Sequence, residues 1–274
     1  MARLAGRRLA PGNRRAAKVL VVVLALFTSL VSCGPAPVGD GAALGAAGAT
    51  APALRVLFVG NSYTYFNNLP GMVQQLAAST SSPRQIEAHT VAYGGATLEV
   101  HWTRGEAPGR IRSEQWDYVV LQEQSSRPVD DAELFFRYAR LFDEAIRARG
   151  AKTVFFMTWA YESDPGMQAG LTNAYTSIGR ELGALVAPVG QAWQQARSSS
   201  PSLGLFADDG SHPDPPGSYM AACVFYAMLL AADPAGAPTT LRDPESGAQL
   251  VSLDAASAGR LQQFAQSAAR GARR

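Results

Sequence analysis

Residues 56–70 read VLFVGNSYTYFNNLP. Val56, Leu57, Phe58 and Val59 form an unbroken apolar run, the pattern of a strand buried on both faces rather than one. Gly60, Asn61 and Ser62 follow at once, and they are small and turn-forming. A serine at the carboxyl end of such a strand has two roles open to it: it caps the next helix or it is a nucleophile. The same run bears on the fold, because a strand covered on both faces needs helices on both sides of its sheet.

The rest of the chain alternates accordingly. Strands are expected near 55–60, 86–92, 117–123, 152–159 and 184–189, with helices near 69–79, 131–149, 168–183 and 217–232. The clearest helix is DDAELFFRYARLFDEAIRARG, where Leu134, Phe135, Tyr138, Leu141, Phe142 and Ile146 recur at helical spacing and Gly150 sits at the end. A further amphipathic helix is expected around Leu253, Leu261, Phe264 and Ala268, although the segment after Pro238 reads as looser. The predicted fold is a mostly parallel five-stranded sheet in a flavodoxin-like three-layer α/β/α sandwich.

In such sheets chemistry collects beyond the carboxyl ends of the strands. Gly60-Asn61-Ser62-Tyr63 follows the first strand and AYGGATLEVHW, with Gly94 and Gly95, the second. LQEQSSRP follows the third, with Gln122 and Gln124 on one face and Glu123 on the other. TWAYESD follows the fourth, and ADDGSHPDPPGS precedes the last core helix. A serine hydroxyl needs a base to take its proton, and that base needs a partner to fix its tautomer and stabilise its charge. Ser62, His212 and Asp209 can fill these roles; Asp209 stands three residues before His212, with Asp208 and Asp214 as competitors. A tetrahedral oxyanion needs donors. The candidates are the N–H groups of Ser62 and of Gly95 (or Gly94) and the side-chain amide of Gln124. Trp102, Trp159 and Tyr161 lie after strands two and four and are candidate substrate-binding residues, with ordinary packing as the other reading. His89 and His101 read as packing or surface residues. No metal-ligand spacing is present, and the chemistry calls for no cofactor.

Together these blocks resemble the SGNH/GDSL hydrolase superfamily, in its bacterial branch of unknown function with GNSYT near the start. The resemblance spans about 55–232. FVGNSYTYFNN is similar to the first block, which implies Ser62 as nucleophile. GGATL is similar to the second, which implies Gly95 as an oxyanion glycine, and DDGSHP matches the Asp-x-x-His block at Asp209 and His212. The family's Gly-x-Asn after strand three is replaced here by QEQS, with Gln122 at the glycine position and Gln124 at the asparagine position. That substitution is expected to reduce the space for an acyl chain near Gln122. No Gly-x-Ser-x-Gly elbow occurs, which argues against the α/β-hydrolase fold. The resemblance implies an esterase acting on a small O-acyl ester, such as acetyl on a carbohydrate. A lipid esterase or thioesterase, and a ligand-binding protein without catalysis, are the alternatives.

The 274 residues, 47% hydrophobic, suffice for one such domain with a sizeable core and an extension before it. Residues 1–32 carry six basic residues and no acids, then VLVVVLALFTSL, and end before Cys33. A basic start, a short apolar run and a small residue before the cut describe a secretory signal. Leu30-Val31-Ser32-Cys33 resembles a bacterial lipobox, so residues 1–32 are expected to be a lipoprotein signal and Cys33 the lipidated residue. The chain would then be an exported protein anchored to the membrane in the cell envelope. Residues 33–53, rich in Ala, Gly and Pro, read as a flexible tether, and 54–270 as the folded domain. Without the signal, 18 basic residues face 22 acidic ones, a net charge of −4 that offers nucleic acid no basic surface. Only Cys223 then remains, inside an apolar helical pattern, so no internal disulfide can form.

Overall fold

The computed structural model describes residues 51–80, 82 and 84–273. The predicted signal, Cys33 and all but the last three residues of the predicted tether lie outside them. Strand β1 is Leu54–Gly60, followed by the one-turn helix α1 (Ser62–Tyr65) and by α2 (Leu69–Ser79). Strand β2 (Ile86–Ala92) leads to α3 (Leu98–Arg104) and α4 (Glu106–Ser113). Then come β3 (Tyr118–Leu121), α5 (Arg127–Asp130), α6 (Ala132–Arg147), β4 (Lys152–Phe156), α7 (Met167–Leu182), β5 (Leu185–Ala187) and α8 (Val189–Ser199). Helix α9 (Pro215–Leu230), the hairpin β6 (Thr240–Arg242) and β7 (Gln249–Ser252), and α10 (Ala255–Ala272) complete the chain.

The main sheet has the order β2-β1-β3-β4-β5, and every pairing in it is parallel. Its two faces follow from the alternation of side chains along β1. Val56 and Phe58 point into one core with Val120, Val154, Phe156 and the buried residues of α2, α8, α9 and α10. Leu57 and Val59 point into the other with Val119, Leu121, Phe155 and residues of α3, α4, α6 and α7. The three-layer α/β/α reading is therefore correct. Helix α9 is apolar nearly all round because it lies deep in its layer, flanked by α2, α8 and α10. Cys223 is fully buried there.

The strand order reverses at β1. The chain leaves β1 toward β2, then crosses back over to β3 on the other side. The crevice that this reversal opens lies beyond the carboxyl ends of β1 and β3, where Ser62 and Gln122–Gln124 stand.

The structure differs from expectation in its short elements. Strands β3, β4 and β5 are shorter than predicted because the apolar runs that mark them continue into buried loops; Gln122, Met157, Thr158 and Trp159 are all buried outside any strand. Helices α3, α4 and α8 were not expected. Helix α8 begins two residues after β5, with Pro188 alone between them. The segment after Pro238 is also more ordered than it reads: Leu241 and Val251 of the β6–β7 hairpin are buried in the same core as α2 and α9. No described helix is long and apolar enough to cross a membrane.

At the start of α8, Gly190 lies so close to β4's exit that a Cβ there would fall 2.0 Å from the Thr158 carbonyl oxygen. Backbone cannot yield as a flexible side chain does. Gly190→Ala should therefore destabilise the fold by about 1–3 kcal/mol, read as a lower urea midpoint at unchanged slope.

Candidate active site

Ser62 is placed by the turn that follows β1. Asn61 caps α1, its Oδ1 accepting from the Tyr63 N–H at 3.1 Å. That turn is built against Gln122 at the end of β3. Gln122 Oε1 accepts from the Asn61 N–H and from Thr64 Oγ1, each at 2.8 Å. Its Nε2 donates to Asn61 Oδ1 at 2.9 Å and to the Glu123 carbonyl at 2.7 Å. Gly60 permits this closeness, since a Cβ there would lie 2.3 Å from Thr64 Oγ1 and 2.5 Å from Gln122 Oε1. Gln122 is fully buried. It therefore does not narrow an acyl site, as its position in the third block suggested; it holds up the serine's turn from below.

The structure brings Ser62, His212 and Asp209 together. Ser62 Oγ lies 2.8 Å from His212 Nε2, and His212 Nδ1 is hydrogen-bonded to Asp209 Oδ2. A carboxylate only accepts, so Nδ1 carries the proton and Nε2 is left to accept from the serine. Asp209 Oδ1 accepts from the N–H groups of Ser211 (2.9 Å) and His212 (2.8 Å), which folds the loop around its own carboxylate. The His212 side chain and these two N–H groups pull the Asp209 carboxyl down to about 2. Neither Asp208 nor Asp214 bonds the imidazole.

The histidine loop is fastened to the serine's own segment. Tyr63 OH bonds Ser211 Oγ at 2.6 Å, and Asn67 Nδ2 donates to the Pro213 carbonyl at 2.9 Å. Phe66 stacks on the His212 ring with centroids 4.3 Å apart. Behind these lies an aromatic stack in which Trp159 sits between Tyr63 (4.5 Å) and Trp193 (4.0 Å). Trp159 is fully buried and its Nε1 donates to the Ser211 carbonyl at 3.0 Å, so it braces the loop and offers no face to a ligand. Trp102 is also a packing residue, edge-on to Phe142 in the opposite core. Both readings as substrate-binding residues are corrected. Tyr161 reaches the cleft only through Ser125, whose Oγ its hydroxyl bonds at 2.7 Å.

The cleft at Ser62 has a volume of about 480 Å³. Tyr65 and Phe66 give it aromatic lining, Gln124, Ser125, Ser211 and His212 polar lining, and Gly94 and Gly95 line it as well. The residues Tyr93–Ala96 form a turn closed by the Ala96 N–H and the Tyr93 carbonyl (3.1 Å), with Gly95 at φ +65°. Among the described residues, the N–H groups of Ser62, Gly94 and Gly95 meet no protein acceptor. Gln124 faces the same cleft, but its amide is already engaged. Oε1 accepts from the N–H groups of Ser126 and Arg127 (3.0 Å each), and Nε2 donates to Ser125 Oγ at 3.0 Å, leaving one amide proton.

Two buried titratable groups, neither of them given a role in the site by the sequence, stand behind the cleft. His101 Nε2 donates to the Gly60 carbonyl at 2.7 Å, and burial pushes its pKa down. Glu123 is 1% exposed, and burial, aided by the negative charge of Glu99, pushes its carboxyl up to about 7 against the hydrogen bonds of the Gln124 and Leu98 N–H groups and the positive charge of Arg127. Among the described residues no cluster of three or more His, Cys, Asp or Glu could hold a metal.

No family model and no curated protein matches the chain. Among solved structures, a protein from Slackia heliotrinireducens assigned to the SGNH hydrolases is 31% identical, with a TM-score of 0.57 over 65% of this chain and 99% of its own. A DUF4886 family protein from Bacteroides uniformis is 20% identical, with a TM-score of 0.60 over 79% of this chain and 94% of its own. A lipase/acylhydrolase from Enterococcus faecalis shares the fold at 13% identity and a TM-score of 0.52, over 65% of this chain and 96% of its own. The chain belongs to the SGNH/GDSL hydrolase superfamily.

Two measurements follow from the buried polar groups. Gln122→Leu leaves the Asn61 N–H and the Thr64 hydroxyl without their acceptor and should cost about 3 kcal/mol of stability, read by urea denaturation. Glu123 has a folded pKa above its unfolded value of 4.5, so it binds a proton more tightly when folded. Stability should therefore fall as pH rises from about 4.5 through about 7. A Glu123→Gln variant should lose that part of the decline in a series of thermal melts against pH.

Proposed function

We propose that the chain is an exported, lipid-anchored esterase that removes a small O-acyl group through a Ser62–His212–Asp209 triad. The observation that carries this reading is the 2.8 Å approach of Ser62 Oγ to an imidazole whose other nitrogen is held by Asp209. Ser62 attacks the ester carbonyl while His212 Nε2 takes its proton, and the imidazolium then gives that proton to the leaving alcohol. Asp209, charged far below neutral pH, stabilises the imidazolium in between. Water attacks the acyl-enzyme with His212 again as base, and the acid leaves. The free N–H groups of Ser62 and Gly95, with the spare proton of Gln124 Nε2, are the donors for the oxyanion.

The cleft supports a small acyl group on a polar alcohol. Its lining offers the hydroxyls of Ser125 and Ser211 together with the rings of Tyr65 and Phe66. A ring with hydroxyl groups, such as an acetylated sugar, suits a lining both polar and aromatic. Export and anchoring rest on the basic and apolar start and on Cys33 in Leu-Val-Ser-Cys.

Hydrolysis of p-nitrophenyl acetate by residues 51–274 tests the chemistry. Ser62→Ala and His212→Ala should each lower kcat by at least about 10³-fold with the circular dichroism unchanged. Gln124→Ala should cost roughly 10²-fold if its amide meets the oxyanion, and a change below about threefold removes it from the mechanism. Equal turnover by wild type and Ser62→Ala would refute the assignment of the nucleophile.

A further inference from the structure

Glu123 occupies a place for which neither the fold nor the triad chemistry accounts. Its neighbours Gln122 and Gln124 serve the serine turn and the cleft, while its own side chain turns away into the opposite core. There it meets backbone. Glu123 Oε1 accepts from the Gln124 N–H at 2.6 Å and from the Leu98 N–H at 3.3 Å, with Oε2 3.4 Å from the same Leu98 nitrogen. The Glu123 N–H donates to the Tyr175 hydroxyl of α7 at 3.3 Å. Among the described residues no cation lies within ion-pair distance of the carboxyl; Arg127, the nearest in charge, pairs with Glu99 at 3.6 Å. A buried acid without a counter-ion is costly, and an apolar residue of the same size would cost less unless the two N–H groups need an acceptor.

Those two N–H groups belong to the two sides of the oxyanion site. Leu98 begins α3, three residues after Gly95, and Gln124 carries the candidate amide. The glycine turn is already tied to the serine turn by Tyr93 N–H to the Gly60 carbonyl (3.3 Å) and Asn61 Nδ2 to the Ala96 carbonyl (3.1 Å). Glu123 supplies the third side of the frame, from the far end of the glycine turn to β3. We propose that Glu123 is a positioning residue which sets the spacing between the Gly95 N–H and Gln124 across the oxyanion site. This rests on the triad reading above. It acts through one acceptor oxygen, since Oε1 alone reaches both donors.

Kinetics of p-nitrophenyl acetate hydrolysis by wild type, Glu123→Gln, Glu123→Met and Glu123→Asp test it, together with amide hydrogen exchange over residues 93–98. Glutamine keeps the acceptor and removes the charge; kcat at pH 6 should stay within threefold of wild type. Methionine fills the volume and accepts nothing; kcat should fall at least tenfold with KM within twofold, because the oxyanion forms only in the transition state, and exchange over 93–98 should quicken at least tenfold. Aspartate is one methylene short of spanning both donors and should lose at least fivefold in kcat, which decides the matter if the methionine variant does not fold. A folded Met or Asp variant with wild-type kcat, or a Gln variant that loses as much as Met, overturns the proposal. If wild type itself shows no Ser62-dependent turnover, the triad reading fails, and the exchange data judge Glu123 alone: rates over 93–98 equal in all four proteins would overturn its role.

Discussion

The structure around the serine depends on one buried amide. Gln122 stands at the end of the central strand pair and makes four hydrogen bonds, three of them to the first turn after β1. A turn that leaves a buried strand must satisfy its backbone away from water. Here a side chain from the neighbouring strand does so, and the two strands are those between which the sheet reverses its order. The serine is thereby fixed to the β1–β3 strand pair, although it lies on a one-turn helix that could not persist alone. The same crowding forces Gly60, because no side chain fits between Gln122 and Thr64.

Much of this was legible in residues 56–70 and their counterparts. A continuous apolar run implies burial on both faces, and burial on both faces implies the three-layer sandwich; periodicity then placed α2, α6, α7 and α9 within two residues at each end. The Asp209–His212 spacing was readable because a short loop that wraps its own carboxylate is a local device. Trp102 and Trp159 were misread for the opposite reason. Position after a strand indicates nearness to the crevice, but which way a ring turns depends on partners such as Trp193, which lies in a helix whose apolar pattern is too short to announce itself. Gln122 was misjudged likewise. Block alignment gave its position, yet only the register of β1 against β3 reveals that its side chain meets Asn61 and Thr64.

Glu123 and Gln122 show how alternation along a single strand end divides labour. Successive side chains leave β3 on opposite faces, so one supports the nucleophile's turn, the next bridges to the glycine turn, and the third looks into the cleft. Gln122 and Glu123 thus each take a backbone N–H of another segment, while Gln124 bonds only its own loop and lines the cleft.

Ser62 and His212 are 150 residues apart in the chain, yet they are clasped by side chains of the serine's own segment: Tyr63, Phe66 and Asn67 all grip the loop of His212. A chain that emerges amino end first presents Ser62 while β3, β4, β5 and the whole histidine loop are still to come. Until that loop arrives, the proposed nucleophile has no base beside it and is as inert as any other serine. Chemical competence is therefore a late event in the birth of the molecule, and it doubles as a certificate that the last third of the chain has docked.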